Sequence, residues 1–223
     1  MPAEAVVERA PRSGAGAAAI YFIWLIAAWI GAWTLFQTIQ TCGGYAISQQ
    51  AQFAYWTLMK IAVWIIPAMW VIRLSGRTFA EVMGIARWRA VLSWGGGAGA
   101  ALAVVNILAK SASSPFIPLS IWPELNAGLV SPVVEEIAFR GAVMGGLMQR
   151  GKFAIANTIT ASMFVAAHIP GWWFQGRLAE QITKPAGGVL TIFVLGWIFG
   201  LVVYESKSIC SGIIAHSLNN FTA

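Results

Sequence analysis

Two adjacent carboxylates stand inside an apolar stretch of the sequence, and a guanidinium follows one helical turn later. The stretch reads SPVVEEIAFRG and contains Glu135, Glu136 and Arg140. Each uncompensated charge at the centre of a bilayer costs roughly 3 kcal/mol on insertion scales. Glu136 and Arg140 are four residues apart with the acid first, the favoured order for an ion pair on one helix face. Glu135 points about 100° away from Glu136, so the pattern predicts one paired acid and one acid that is free for a partner on another helix.

The two histidines of the chain also lie in apolar stretches. His168 follows Phe164 by four residues and Asn220 follows His216 by four, so each pair shares a helix face. Amide hydrolysis without Ser, Cys or metal needs a base, an acid for the leaving amine and donors for the oxyanion. Glu, His and Asn side chains can fill these roles. The non-catalytic alternatives are a salt bridge that only packs helices together and histidines that only form interhelical hydrogen bonds. A salt bridge between Glu136 and Arg140 alone, however, would not need the third charge of Glu135.

The composition indicates the environment in which this chemistry would take place. Hydrophobic residues make up 58% of the 223 residues and charged residues only 10%, against about 25% in soluble domains. The sequence therefore predicts an integral membrane protein. Its net charge of +6 would suggest nucleic-acid binding in a soluble chain, but the basic residues lie in short loops between apolar runs, where they set membrane orientation. No nucleic-acid partner is expected.

Seven apolar runs approach the length of about 20 residues that a helix needs to cross a bilayer. They lack the alternation of a strand. We therefore expect an all-α, polytopic membrane helix bundle of about seven transmembrane helices, forming a single integral membrane domain over residues 1–223. Gly196 and Gly200 form a G-x-x-x-G face that would permit close helix approach. The expected helices are 17–36, 53–72, 90–109, 127–148, 153–168, 187–204 and 208–221.

The basic residues of the loops predict how the bundle is oriented. If the N-terminus is cytoplasmic, nine Lys and Arg residues fall on the cytoplasmic side and three on the exterior side, which is the positive-inside pattern of a cell membrane protein. The active-site residues then lie toward the exterior leaflet, with Glu135 about 12 Å below the surface. The nine are Arg9, Arg12, Arg73, Arg77, Arg87, Arg89, Arg150, Lys152 and Lys207, and the three are Lys110, Arg177 and Lys184.

Three motifs, in order along the chain, resemble those of the CPBP family. They are the E-E-x-x-x-R of Glu135, Glu136 and Arg140, the F-x-x-x-H that ends at His168, and the H-x-x-x-N from His216 to Asn220. This family comprises CAAX proteases and bacteriocin-processing enzymes, which are glutamic-type intramembrane endopeptidases. The resemblance covers some 40% of the chain within a motif-bearing core at 127–221, whereas the helices expected at 17–109 carry no recognisable motif.

The resemblance implies a role for each of these residues. Glu135, assisted by His168, would activate a water as general base, and His216 with Asn220 would stabilise the oxyanion. Glu136 and Arg140 would hold the architecture of the site. The implied activity is hydrolysis of a peptide bond in a membrane-associated protein or peptide, such as a sorting signal or a leader, without a metal or other cofactor.

Three other functions stay open at this point. Glu and His side chains could ligate zinc in a membrane metalloprotease, although the sequence has no H-E-x-x-H motif. Intramembrane Glu and His also mark the ion paths of carriers, although no repeated half-structure is evident. A non-catalytic membrane binding or immunity protein could keep the same fold, but none of the motif residues is lost.

Overall fold

The computed structural model describes residues 14–43, 47–110, 120–149 and 151–223, and all regular elements within these ranges are helices. We number the helices in chain order and include two short ones, α3 and α7. The helices are α1 Gly14–Cys42, α2 Gln49–Leu74, α3 Phe79–Met83, α4 88–110, α5 121–147, α6 Phe153–Phe174, α7 Leu178–Thr183, α8 Val189–Ser206 and α9 Ile209–Thr222.

Five helical stretches of the described ranges are long and apolar enough to cross a membrane, namely α1, α2, Phe79–Lys110, α6 and α8. The predicted multi-pass, all-helical membrane protein is thus confirmed, and the number seven is approximate. The other two predicted spans are helical as well. These two are not among the five apolar spans, because α5 carries several charged side chains, among them Glu135, Glu136 and Arg140, and because α9 has only 14 residues.

Helix α5 lies at the centre of the bundle and contacts α1, α2, α6, α8 and α9. Its residues from Val134 to Met144 are all buried, so the chain places its most charged helix where other helices surround it. The Phe139 ring packs edge-on against Trp64 of α2 and Phe164 of α6, with centroids 5.9 and 5.2 Å apart. This arrangement keeps lipid away from the charged residues of α5.

Wide π-helical turns occur in α2 and α5 close to prolines. The π turns span Ile61–Ile65 ahead of Pro67 and Asn126–Val130 ahead of Pro132. Proline has no N–H and clashes with the preceding turn, so the hydrogen bonding shifts around it. A second π segment, Glu136–Met144, begins directly after Glu135. Such segments are frequent at functional sites.

Glycines allow α6 and α8 to approach closely, as the G-x-x-x-G spacing predicts. A Cβ atom on Gly200 would lie 1.8 Å from Oδ1 of Asn157, and one on Gly196 would lie 3.1 Å from the Phe164 ring. Asn157 uses the approach to donate a 2.9 Å hydrogen bond to the carbonyl of Trp197.

Three predicted helix boundaries were wrong by almost two turns. The run predicted to end at residue 36 continues to Cys42, and the run predicted to begin at residue 127 begins at Ile121. The run predicted at 153–168 continues as α6 to Phe174 and includes Pro170. Membrane helices tolerate proline when neighbouring groups satisfy the freed backbone. The extension also buries Trp172, which packs beside His168 with centroids 5.6 Å apart.

Candidate active site

Glu136 and Arg140 form a buried ion pair, as the spacing predicts. Nη1 of Arg140 donates to Oε1 of Glu136 over 2.9 Å, and both side chains are inaccessible to solvent. Nη2 of Arg140 donates over 2.5 Å to the carbonyl of Gly196 on α8. The rings of Phe164 and Phe199 lie 4.9 and 5.6 Å from the guanidinium. Arg140 therefore ties α5 to α8 inside an aromatic shell.

His216 of α9 lies between the two carboxylates. Its Nδ1 is 3.1 Å from Oε1 of Glu136 and donates to it, while Nε2 is 3.8 Å from Oε2 of Glu135. The imidazole stacks on the Phe199 ring at a centroid distance of 4.5 Å. Gly212 lies one turn earlier on α9, and a Cβ there would be 2.6 Å from Oε2 of Glu136. The absence of a side chain at Gly212 lets the carboxylate reach the histidine.

Glu135 has a different environment, because it lines a cavity of about 190 Å³ together with His168. This volume is sufficient for water. About 12% of the Glu135 side chain is accessible, whereas none of the Glu136 side chain is. We call this space the Glu135 cavity. Its other walls are Trp29, Trp33, Lys60, Trp64, Ala167, Gly171, Trp172 and Gln175.

The hydrogen bond of His168 fixes which ring nitrogen carries the proton. Nδ1 lies 2.8 Å from the carbonyl oxygen of Phe164. A carbonyl only accepts, so Nδ1 is the donor, and in the neutral ring Nε2 then bears the lone pair. His168 can therefore accept a proton or a hydrogen bond at Nε2.

Lys60 of α2 is a residue of the cavity that sequence reasoning missed. Its ammonium is buried and donates to Oδ1 of Asn126 over 2.9 Å and to Oγ of Ser131 over 2.5 Å, both on α5. It is also attracted electrostatically to Glu135, although the two do not reach ion-pair distance in the described ranges. The sequence could have indicated Lys60 in the same way as Glu135, because a charged side chain within an apolar run is costly to insert into a membrane and often marks a functional site.

Asn220 stands apart from the other predicted site residues. Its Nδ2 donates over 2.9 Å to the carbonyl of Ala127 on α5, and its Oδ1 accepts from Nδ2 of Asn219 over 3.0 Å. The fold thus joins Glu135, Glu136, Arg140 and His216 directly, and brings His168 to Glu135 through the cavity. Asn220 links the last turns of α9 to α5. In the described part of the chain, no three His, Cys, Asp or Glu side chains are grouped as metal ligands.

Residues 117–222 match the family model of the type II CAAX prenyl endopeptidase Rce1-like proteins. The match confirms the resemblance to the CPBP family and contains every predicted site residue. It implies an intramembrane protease, a hydrolase that acts on membrane-associated proteins. Neither the curated proteins nor the solved structures contain a match to the chain.

The segment that matches the family model does not build the Glu135 cavity alone. Helices α1 and α2 precede the match and supply Trp29, Trp33, Lys60 and Trp64 to its walls. Edge-on contacts fix Trp29 against Trp33 and Trp64, with centroids 6.4 and 5.2 Å apart. The helices that showed no motif therefore shape the space next to Glu135.

Proposed function

We propose that the protein is an intramembrane endopeptidase that cleaves a peptide bond with a water activated by Glu135 and His168. One observation carries the proposal: Glu135 lines a cavity with His168, while the adjacent Glu136 is enclosed in a buried ion pair. Two carboxylates with separate environments can have separate roles in one site.

In this mechanism the water lies in the Glu135 cavity. The carboxylate of Glu135 removes one proton, and Nε2 of His168 accepts a hydrogen bond from the same water. The water oxygen bonds to the carbonyl carbon, and the carbonyl π electrons move to the oxygen as an oxyanion. Glu135 then gives its proton to the amide nitrogen as the C–N bond breaks. The products are a new carboxyl terminus and a new amine.

His216 and Asn220 are the proposed donors to the oxyanion. Nε2 of His216 points to the Glu135 side of the site, because Nδ1 is engaged by Glu136. The donor role requires a proton on Nε2 as well. The amide of Asn220 has to exchange its bond with the Ala127 carbonyl for a bond to substrate. Lys60 adds a positive charge to the wall of the same cavity.

We also propose that the site opens toward the exterior leaflet, which would favour exported or membrane-anchored substrates such as those with a sorting signal or a leader. The support is the nine-to-three distribution of basic residues. Cysteine labelling in intact cells tests this after the exposed Cys42 is changed to serine. An impermeant reagent should label Gln175→Cys and not Glu205→Cys, and the reverse pattern would invert the orientation.

Comparison of peptides from matched cells tests the proposed activity. Membrane and secreted peptides are identified by mass spectrometry in cells with the wild type, Glu135→Gln, or Glu205→Gln as a control at an exposed acid on α8. New termini should be present with the wild type and the control and absent with Glu135→Gln. Identical peptides in all three cells would favour a non-catalytic membrane binding protein.

A further inference from the structure

A second cavity of about 190 Å³ lies at the other end of α5, away from Glu135. Its cationic lining residues are Arg77, Lys207 and Arg140, of which Arg140 is already paired with Glu136, and Glu81 is its one acidic lining residue. Met144, Met148, Val203 and Ile209 are among its apolar walls. We call it the basic cavity. It lies where α2 and α8 end, at Leu74 and Ser206. A space with apolar walls and cationic groups at the end of a membrane bundle suits an amphipathic anion.

Arg77 is half-buried in this cavity, which the Glu81 carboxylate also lines. Its Nη2 donates over 2.5 Å to the Gly141 carbonyl, whereas Nε is buried without a hydrogen bond. Burial lowers the pKa of Arg77, and the charge of Glu81 opposes this shift. The Glu81 carboxylate accepts a 2.7 Å hydrogen bond from the Thr78 amide as part of a helix cap. Within the described ranges Arg77 makes no ion pair.

Lys207 adds an independent observation, because its backbone conformation favours another residue type. It ends α8 with φ of 56° and is the one non-glycine residue with positive φ in the described ranges. Glycine is the usual residue at such a helix end because it has no Cβ. The ammonium is 3.6 Å from the centroid of the Tyr204 ring and makes no ion pair among the described residues. A lysine at this position points to a function for its side chain.

We propose that the basic cavity binds the phosphate of an anionic phospholipid headgroup. Arg77 and Lys207 approach the cavity from two different loops, and arginine matches phosphate geometry with paired N–H donors. Basic side chains at the membrane surface attract anionic lipids. Free phosphate would use the cations alone, whereas a phospholipid also uses the apolar walls. Bound lipid would connect the α2–α3 loop to the α8–α9 turn. This proposal does not depend on the proteolytic function.

Thermal unfolding in detergent tests the proposal through the intrinsic fluorescence of the 12 tryptophans. The probes are dioctanoyl phosphatidylglycerol, dioctanoyl phosphatidylcholine and inorganic phosphate. The wild type should be stabilised by phosphatidylglycerol at concentrations at which the other two have no effect. Lys207→Gly introduces a residue that readily adopts the positive φ at this position, so the variant should fold. It should need about fivefold more phosphatidylglycerol for the same stabilisation, as expected for one lost surface cation. Arg77→Gln combined with Lys207→Gly should abolish the response.

Arg73→Gln serves as a control, because this exposed arginine lies on the same end of the bundle outside the basic cavity. It should respond like the wild type. Equal loss of response in Arg73→Gln and Lys207→Gly would assign binding to general surface charge and overturn the proposal. Equal stabilisation by inorganic phosphate would overturn the lipid assignment, and equal stabilisation by phosphatidylcholine would overturn the need for an anion.

Discussion

The side chains of the adjacent residues Glu135 and Glu136 occupy different environments. Glu136 is inaccessible to solvent, and its carboxylate accepts hydrogen bonds from Arg140 of the same helix and from His216 of α9. Glu135 faces α2 and α6 and lines a cavity with Lys60 and His168. The comparison shows how a helix gives neighbouring side chains separate tasks, because successive residues differ by about 100° around the axis.

The difference between the two environments also assigns different consequences to mutation. A residue of the enclosed side is expected to affect folding, since its loss leaves a buried charge unpaired. A residue of the cavity side is expected to affect chemistry, since water can already replace part of its contacts.

After the loss of Glu135 itself, the largest expected effect on the cleavage rate is that of His168→Ala. Loss of a general base or of the group that assists it reduces the rate by about 10²–10⁴-fold. Thermal stability in detergent should stay near that of the wild type, because His168 is half-buried and, among the residues that the structure describes, its ring hydrogen-bonds only to the carbonyl of Phe164 on its own helix. Single-turnover assays on a substrate identified from the peptides measure the rate. Cleavage near the wild-type rate would remove His168 from the mechanism.

The next largest expected effect is the loss of folding stability in Arg140→Ala. Removing the guanidinium leaves the buried Glu136 carboxylate with the hydrogen bond from His216 but without its cationic partner, and breaking such a buried pair costs about 3–5 kcal/mol. The yield of monodisperse protein and the melting temperature should both fall, together with activity. Arg177→Ala is the control, because its pair with Glu180 is about half exposed and such pairs contribute about 0–1 kcal/mol. A stable Arg140→Ala protein would contradict the structural role of the ion pair.

A smaller effect is expected when a methyl group is added beside Glu136. In Gly212→Ala the new Cβ would lie 2.6 Å from Oε2 of Glu136 and 2.7 Å from Val203, and such overpacking costs about 1–3 kcal/mol. Gly97→Ala places its Cβ on α4 with no atom within 4 Å and should be neutral or stabilising. The melting temperatures of the two variants measure the difference, and equal values would show that the contact at Gly212 is not tight.

No effect is expected from a strong chelator on cleavage by the purified protein. Water activation by Glu135 and His168 needs no ion, so the rate before and after dialysis against chelator should be the same. Activity that disappears on chelation and returns with zinc alone would favour the metalloprotease that the sequence also leaves open.

The sequence predicted those features that depend on local cost and spacing. The ion pair of Glu136 with Arg140 followed from four-residue spacing, and the apolar runs indicated the helices. The partners of Lys60 and the amide contact of Asn220 with Ala127 were not predictable, because they join residues 66 and 93 positions apart in sequence. The continuation of α6 through Pro170 depended on tertiary contacts as well, since local preference places a helix end there.

The separation of tasks between Glu135 and Glu136 is tested most directly by Glu135→Gln and Glu136→Gln measured in parallel for cleavage and for melting temperature. Glu135→Gln should melt like the wild type and show no cleavage. Glu136→Gln should melt at a lower temperature, because Arg140 and His216 lose their shared anion. Equal destabilisation of the two variants, or cleavage by Glu135→Gln near the wild-type rate, would contradict the assignment of chemistry to Glu135 and structure to Glu136.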